Sequence, residues 1–95
     1  MKIYVKSNFV VPGLDNGEFL DLDRSQLTIR EFLEELSERS PTRVEYIPPG
    51  TQIINPDEWE IKINDIPYQQ WGAGLETPLK DGDTVTIIII PLGGG

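Results

Sequence analysis

Ile87, Ile88, Ile89 and Ile90 stand consecutively near the C-terminus, and this run narrows the folds open to the chain more than any other feature. β-Branched side chains disfavour helix and suit pleated strands. Successive side chains in a strand point to opposite faces, so four in a row place apolar groups on both. Residues 84–90 are therefore expected to form a central strand buried on both faces. Pro91 has no backbone donor and ends the ladder. Leu92 follows, and then Gly93, Gly94 and Gly95. A glycine tail has no side chains, so it can thread a narrow tunnel and present its α-carboxylate unhindered. The C-terminus reads as the working end. Taken alone, a Gly-rich end reads first as a frayed terminus or a linker remnant; the residues before it shift that balance.

Ninety-five residues support one domain and one modest core. The net charge of −8 argues against direct nucleic-acid binding, which needs clustered Lys and Arg. It favours a partner with a basic docking surface. The chain has neither Cys nor His, which removes disulfides, thiol and Ser-His-Asp catalysis, and the usual zinc ligands. Asp81 and Asp83 flank Gly82. A calcium loop needs a longer acidic series closed by Glu, so this Asp-Gly-Asp reads as a turn. No metal site is expected. The chain opens with a strand pattern, Met1-Lys2-Ile3-Tyr4-Val5, and no apolar run approaches membrane-spanning length. A soluble cytoplasmic protein with no membrane partner is expected.

Strands are expected at residues 2–6 and 18–22, with Pro12-Gly13 and Asn16-Gly17 as breakers between them. Thr28 and Glu31 are spaced as a capping box, and Leu27 and Phe32 as a hydrophobic staple. Ile29, Phe32, Leu33 and Leu36 then recur at i, i+3, i+4 and i+7, the apolar face of a helix that stops by Ser40, before Pro41. Residues 41–58 carry four prolines and Gly50 around two short apolar runs, 44–47 and 51–54, and read as a surface excursion with a small hairpin. Residues 59–63 alternate as a strand and turn at Asn64-Asp65. Tyr68 and Trp71 are placed to cover an open sheet edge or to contact a partner, and core packing is the leading reading for each. Leu75 and Leu79 are expected to pack beneath the turn at 80–83. This order suits an α+β roll with one helix across a mixed sheet of about four to five strands.

The helix start Leu27-Thr28-Ile29-Arg30-Glu31-Phe32-Leu33, the stretch from Gly74 to Val85 with its L-x-D-G-D-x-V pattern, the turn residue Asn64 and the terminal glycines together resemble the ubiquitin-like sulfur carriers of the β-grasp fold. These include the molybdopterin synthase small subunit, the thiamine-pathway carrier and the ubiquitin-related modifier of tRNA thiolation. The match is loose over residues 1–39 and good over 59–95; residues 41–58 exceed the compact core of the family. The resemblance implies a β-grasp domain over residues 1–92, with 41–58 inserted and 93–95 as tail. It also implies a chain that is not itself an enzyme and holds no cofactor. An E1-like adenylyltransferase, using ATP, would activate the Gly95 carboxylate for conversion to a thiocarboxylate. Gly94 and Gly95 map onto the reactive pair, and Pro91, Leu92 and Gly93 onto the partner-binding approach. The leading acceptor is the molybdopterin synthase large subunit. Thiamine or tRNA thiolation, conjugation to lysines, and a binding module with an inert tail are the alternatives. Docking is expected on the sheet surface near the last strand, with acidic side chains meeting a basic partner.

Overall fold

The computed structural model describes residues 1–8, 19–39, 46 and 58–90. The first strand, β1 (Lys2–Ser7), pairs antiparallel with β2 (Phe19–Asp21). A two-residue strand β3 (Leu27–Thr28) leads into the helix α1 (Ile29–Arg39). Strands β4 (Trp59–Ile63) and β5 (Ile66–Pro67) follow as a hairpin, then two single 3-10 turns, β6 (Pro78–Leu79) and β7 (Thr84–Ile89). The main sheet has the order β2-β1-β7-β4-β5, and β3 pairs with β6 in a separate two-stranded sheet.

The expected α+β β-grasp roll is what forms. β7 is central, parallel to β1 and antiparallel to β4. Beyond the exposed Ser7, which stands beside Ile87, the residues that pair on the inner side are apolar: Val5 with Val85, Ile61 with Ile87, Ile63 with Val85, Ile3 with Leu20. They form one cluster with the helix face Ile29, Phe32, Leu33 and Leu36, every one of which is fully buried. Burying a side chain of this size contributes about 1.5–3 kcal/mol, so this cluster dominates the stability.

The helix begins where the sequence placed it. The amide of Glu31 donates to Thr28 Oγ1 at 3.2 Å, and the amide of Thr28 donates to Glu31 Oε1 at 3.0 Å. Each side chain thus satisfies an amide at the helix start. The amide of Ile29 donates to the Thr77 carbonyl at 3.0 Å, and Arg30 pairs with Glu76 at 2.8 Å. The helix start and the stretch before the Asp-Gly-Asp turn are therefore one joint, held by the β3–β6 pair.

Two expectations need correction. Of the isoleucine run only Ile87 is fully buried; Ile88 and Ile90 are half-buried and Ile89 is 39% exposed. The strand is central, but its cover thins toward its end. Tyr68 is buried in the core, in line with its leading reading, while Trp71 packs partly against the core and its indole N–H donates to the Ile66 carbonyl of the edge strand at 3.3 Å. The second correction concerns residues 41–58. The hairpin expected at 44–47 and 51–54 lies outside the described residues except for Tyr46. That residue is 2% exposed and sets its ring edge-on to Trp59 at 4.8 Å, so the segment supplies a core side chain. No described helix is long and apolar enough to cross a membrane.

Candidate functional site

Gly95, Gly94, Gly93, Leu92 and Pro91 lie outside the described residues. The structure fixes the point from which they depart. On one side of β7 the Asn8 carboxamide donates to the Ile89 carbonyl at 3.0 Å and accepts from the Ile89 amide at 2.9 Å. The side chain replaces the backbone of the next β1 residue, ending that ladder while leaving both Ile89 groups satisfied. On the other side the amide of Ile90 donates to the Glu58 carbonyl at 3.0 Å. The last two described residues of the chain's final strand are thus held from both sides, with half-covered isoleucines beside the exit.

The Asp-Gly-Asp turn lies at the opposite end of β7, and its carboxylates are engaged in structure. Asp81 Oδ1 accepts from the Lys2 amide at 2.6 Å, and the Gly82 amide donates to the Lys2 carbonyl at 2.7 Å. Asp83 accepts from the Lys80 amide at 2.8 Å and from Asn64 Nδ2 at 3.0 Å. Gly82 has φ 91°, a conformation a side chain resists. The motif therefore ties β1, β7 and the β4–β5 turn together, and the reading as a turn stands.

Sequence reasoning pointed to the sheet surface near the last strand without naming the side chains on its outer face. On that face β1 presents Lys2, Tyr4 and Lys6, β7 presents Thr84, Thr86 and Ile88, and β4 presents Glu60 and Lys62, with Phe19 and Asp21 alongside on β2. Tyr4 is 42% exposed, with its ring 6.1 Å from Phe19, and Lys2 Nζ stands 4.5 Å over the Phe19 ring. Lys80 is the only lysine of the chain not on this face. On it three lysines stand against the carboxylates of Asp21 and Glu60, with Tyr4, Phe19 and Ile88 among them. The acidic excess is carried elsewhere, as on Glu34 and Glu38 of the helix's exposed side. Alternation in residues 2–6 already separated Lys2, Tyr4 and Lys6 from the core residues Ile3 and Val5. Which strands stand beside them is a property of the topology.

Thr86 Oγ1 is the one buried side-chain polar atom without a hydrogen-bond partner among the described residues. Leaving a hydroxyl in that state costs about 1–3 kcal/mol.

With this geometry in hand, the likenesses to known proteins are specific. No curated protein matches the chain. A solved structure, the CysO chain of the Amycolatopsis orientalis BexX/CysO complex, superposes with a TM-score of 0.63 at 21% identity, covering 97% of this chain and 99% of that one. At that identity the likeness establishes the shared fold. The ThiS family model matches residues 12–95. The chain belongs to the ThiS family of ubiquitin-like sulfur carriers, small carriers rather than catalysts.

Proposed function

We propose that the α-carboxylate of Gly95 is the group this carrier loads with sulfur. One observation carries the reading: the central strand is tied on both sides up to Ile90, and the five residues beyond it end in three glycines. A carboxylate oxygen attacks the α-phosphorus of ATP in an E1-like partner, pyrophosphate leaves, and an acyl-adenylate forms. A protein persulfide then attacks the acyl carbon and AMP departs. A thiol cleaves the resulting disulfide and leaves the thiocarboxylate. In-line attack requires the chain end to enter a close-fitting site, where a Cβ on Gly94 or Gly95 obstructs the approach. The partner supplies the catalytic groups and the metal for ATP. Pro91, Leu92 and Gly93 span the distance between the sheet and the reacting carboxylate. The acceptor we propose is the molybdopterin synthase large subunit, within the carrier class that the helix start and the L-x-D-G-D-x-V stretch resemble as a whole; thiamine or tRNA thiolation is the alternative.

Intact-mass spectrometry tests this after incubation with an E1-like enzyme, ATP and a sulfur donor. The expected gain is one oxygen replaced by sulfur, absent from a chain lacking Gly95. If no enzyme of this class produces an adenylate or a thiocarboxylate, the reading fails. Mixing the loaded chain with the large subunit and its pterin precursor tests the acceptor separately, through loss of that added mass.

A further inference from the structure

We propose that the outer sheet face docks a partner protein by receiving a carboxylate side chain in the row Lys6–Thr86–Lys62. The sheet register places Lys6 on β1 and Lys62 on β4 directly on either side of Thr86 on β7. Neighbouring strands stand about 4.8 Å apart, so two flexible ammonium arms flank one hydroxyl within the reach of a single carboxylate. That hydroxyl is buried, on a side chain 9% exposed, and has no partner among the described residues, where Lys62 pairs with Glu60 at 3.6 Å. A carboxylate brings acceptors for the hydroxyl and for both ammonium groups, and Thr86 becomes satisfied as the lysine arms swing onto the incoming oxygen atoms.

The surroundings specify the rest of the partner. Ile88 lies beyond Thr86 along the strand and Tyr4 and Phe19 lie on the other side, so the carboxylate meets apolar side chains as well as Thr84 and Glu60. A polyanion fits poorly, because Asp21 and Glu60 share the face and the whole chain carries −8. An acidic residue among apolar ones on a protein surface fits each feature. This inference deepens the carrier reading and rests on it in one respect, that the partner is the activating enzyme. The carboxylate site itself stands independently of that assignment.

The test uses the full chain, 15N-labelled, titrated with the peptide acetyl-Leu-Val-Asp-Val-Leu-amide, with the same peptide carrying Asn for Asp, and with sodium acetate. The Asp peptide is expected to shift the amides of Lys6, Thr86 and Lys62, and to bind at least about tenfold more tightly than the Asn peptide. Lys6→Glu with Lys62→Glu is expected to abolish the shifts, and Thr86→Val to weaken them. Lys6→Met with Lys62→Met serves if the reversed charges impair folding. No shifts, equal binding of both peptides, or the same shifts from acetate alone overturn the proposal. So do the same shifts on concentrating the chain by itself, which identify a second copy as the occupant.

A second arm measures sulfur loading by the E1-like enzyme with the lysine-to-methionine chain. A fall of about tenfold in kcat/KM, with unchanged thermal unfolding, is expected. Peptide binding with unaltered loading overturns the assignment of this face to the activating enzyme. A wild-type chain that is never loaded sinks the carrier reading and leaves the peptide result standing.

Discussion

Asn64 sits where three strands depend on one side chain. Its Oδ1 accepts from the Thr84 amide at 2.9 Å, its Nδ2 donates to Asp83, and its own backbone adopts φ 51°. Asn and Gly tolerate that conformation better than other residues, because Asn bonds locally and Gly has no Cβ. Asn64→Ala loses both side-chain bonds and adds backbone strain, so it should destabilise the fold by about 2–4 kcal/mol in urea unfolding. Asn64→Gly loses the same bonds without the strain, and should recover about 1 kcal/mol of that. Equal costs for the two variants would show that the left-handed turn is not under strain. Asn8 works differently, since both of its bonds go to a single residue, Ile89. Asn8→Ala should cost about 1–2 kcal/mol and raise the hydrogen-exchange rate of the Ile89 amide more than that of Val85. A uniform rise across β7 would mean that Asn8 contributes only to global stability and does not secure the end from which the tail departs.

At the level of elements, α1 was legible because every signal for it is local. The capping box, the i, i+3, i+4 spacing and Pro41 lie within a dozen or so residues, and the structure returns the same face and the same cap. The central strand was legible through its composition, yet the extent of its cover was misread. A β-branched run reports strand preference, while cover depends on what lies above and below the end of a sheet. The β3–β6 pair went unseen because two residues have no periodicity and their partners are 52 positions apart, as Leu27 and Leu79 show. The lysine row was hidden for a related reason, since Lys6 and Lys62 become neighbours of Thr86 only through strand order. The cap carries a pH prediction. Donation from the Thr28 amide, and then from Arg24, holds the Glu31 carboxyl below its ordinary value of 4.5. A depressed carboxyl adds stability that is present above the unfolded value and lost as pH falls through the folded one. The stability gap between wild type and Glu31→Gln should therefore be open at pH 7 and close as pH drops below 4.5. A gap that stays constant through this range would show that the cap works by shape alone, without the charge.

For the molecule as a whole, the question is how the reactive end is joined to a domain of this size. β7 carries core residues on one face and, on the other, Thr86 between Lys6 of β1 and Lys62 of β4, and residues 91–95 continue from its end. Stability and the proposed docking and sulfur loading therefore share one strand. The two ends of β7 are secured unequally: the turn at Asp81–Asp83 is tied by several side chains, whereas the tail end relies on Asn8, on Glu58 and on what packs near Trp59. Trp59 is the residue opposite Ile89, and Tyr46 packs against Trp59. Tyr46, from the long segment between the helix and β4, thus packs beside the tail end of the central strand. If that contact belongs to the cooperative core, Tyr46→Ala should cost about 3–5 kcal/mol, a large part of the roughly 5–15 kcal/mol typical of a domain. Tyr46→Phe should cost far less, because the ring contact is kept. Urea unfolding followed by Trp fluorescence, which reports on Trp59 and Trp71, gives both numbers. A surface excursion predicts a change within about 0.5 kcal/mol for either variant. That result would detach the segment from the core and leave Asn8 and Glu58 as the supports of the tail end.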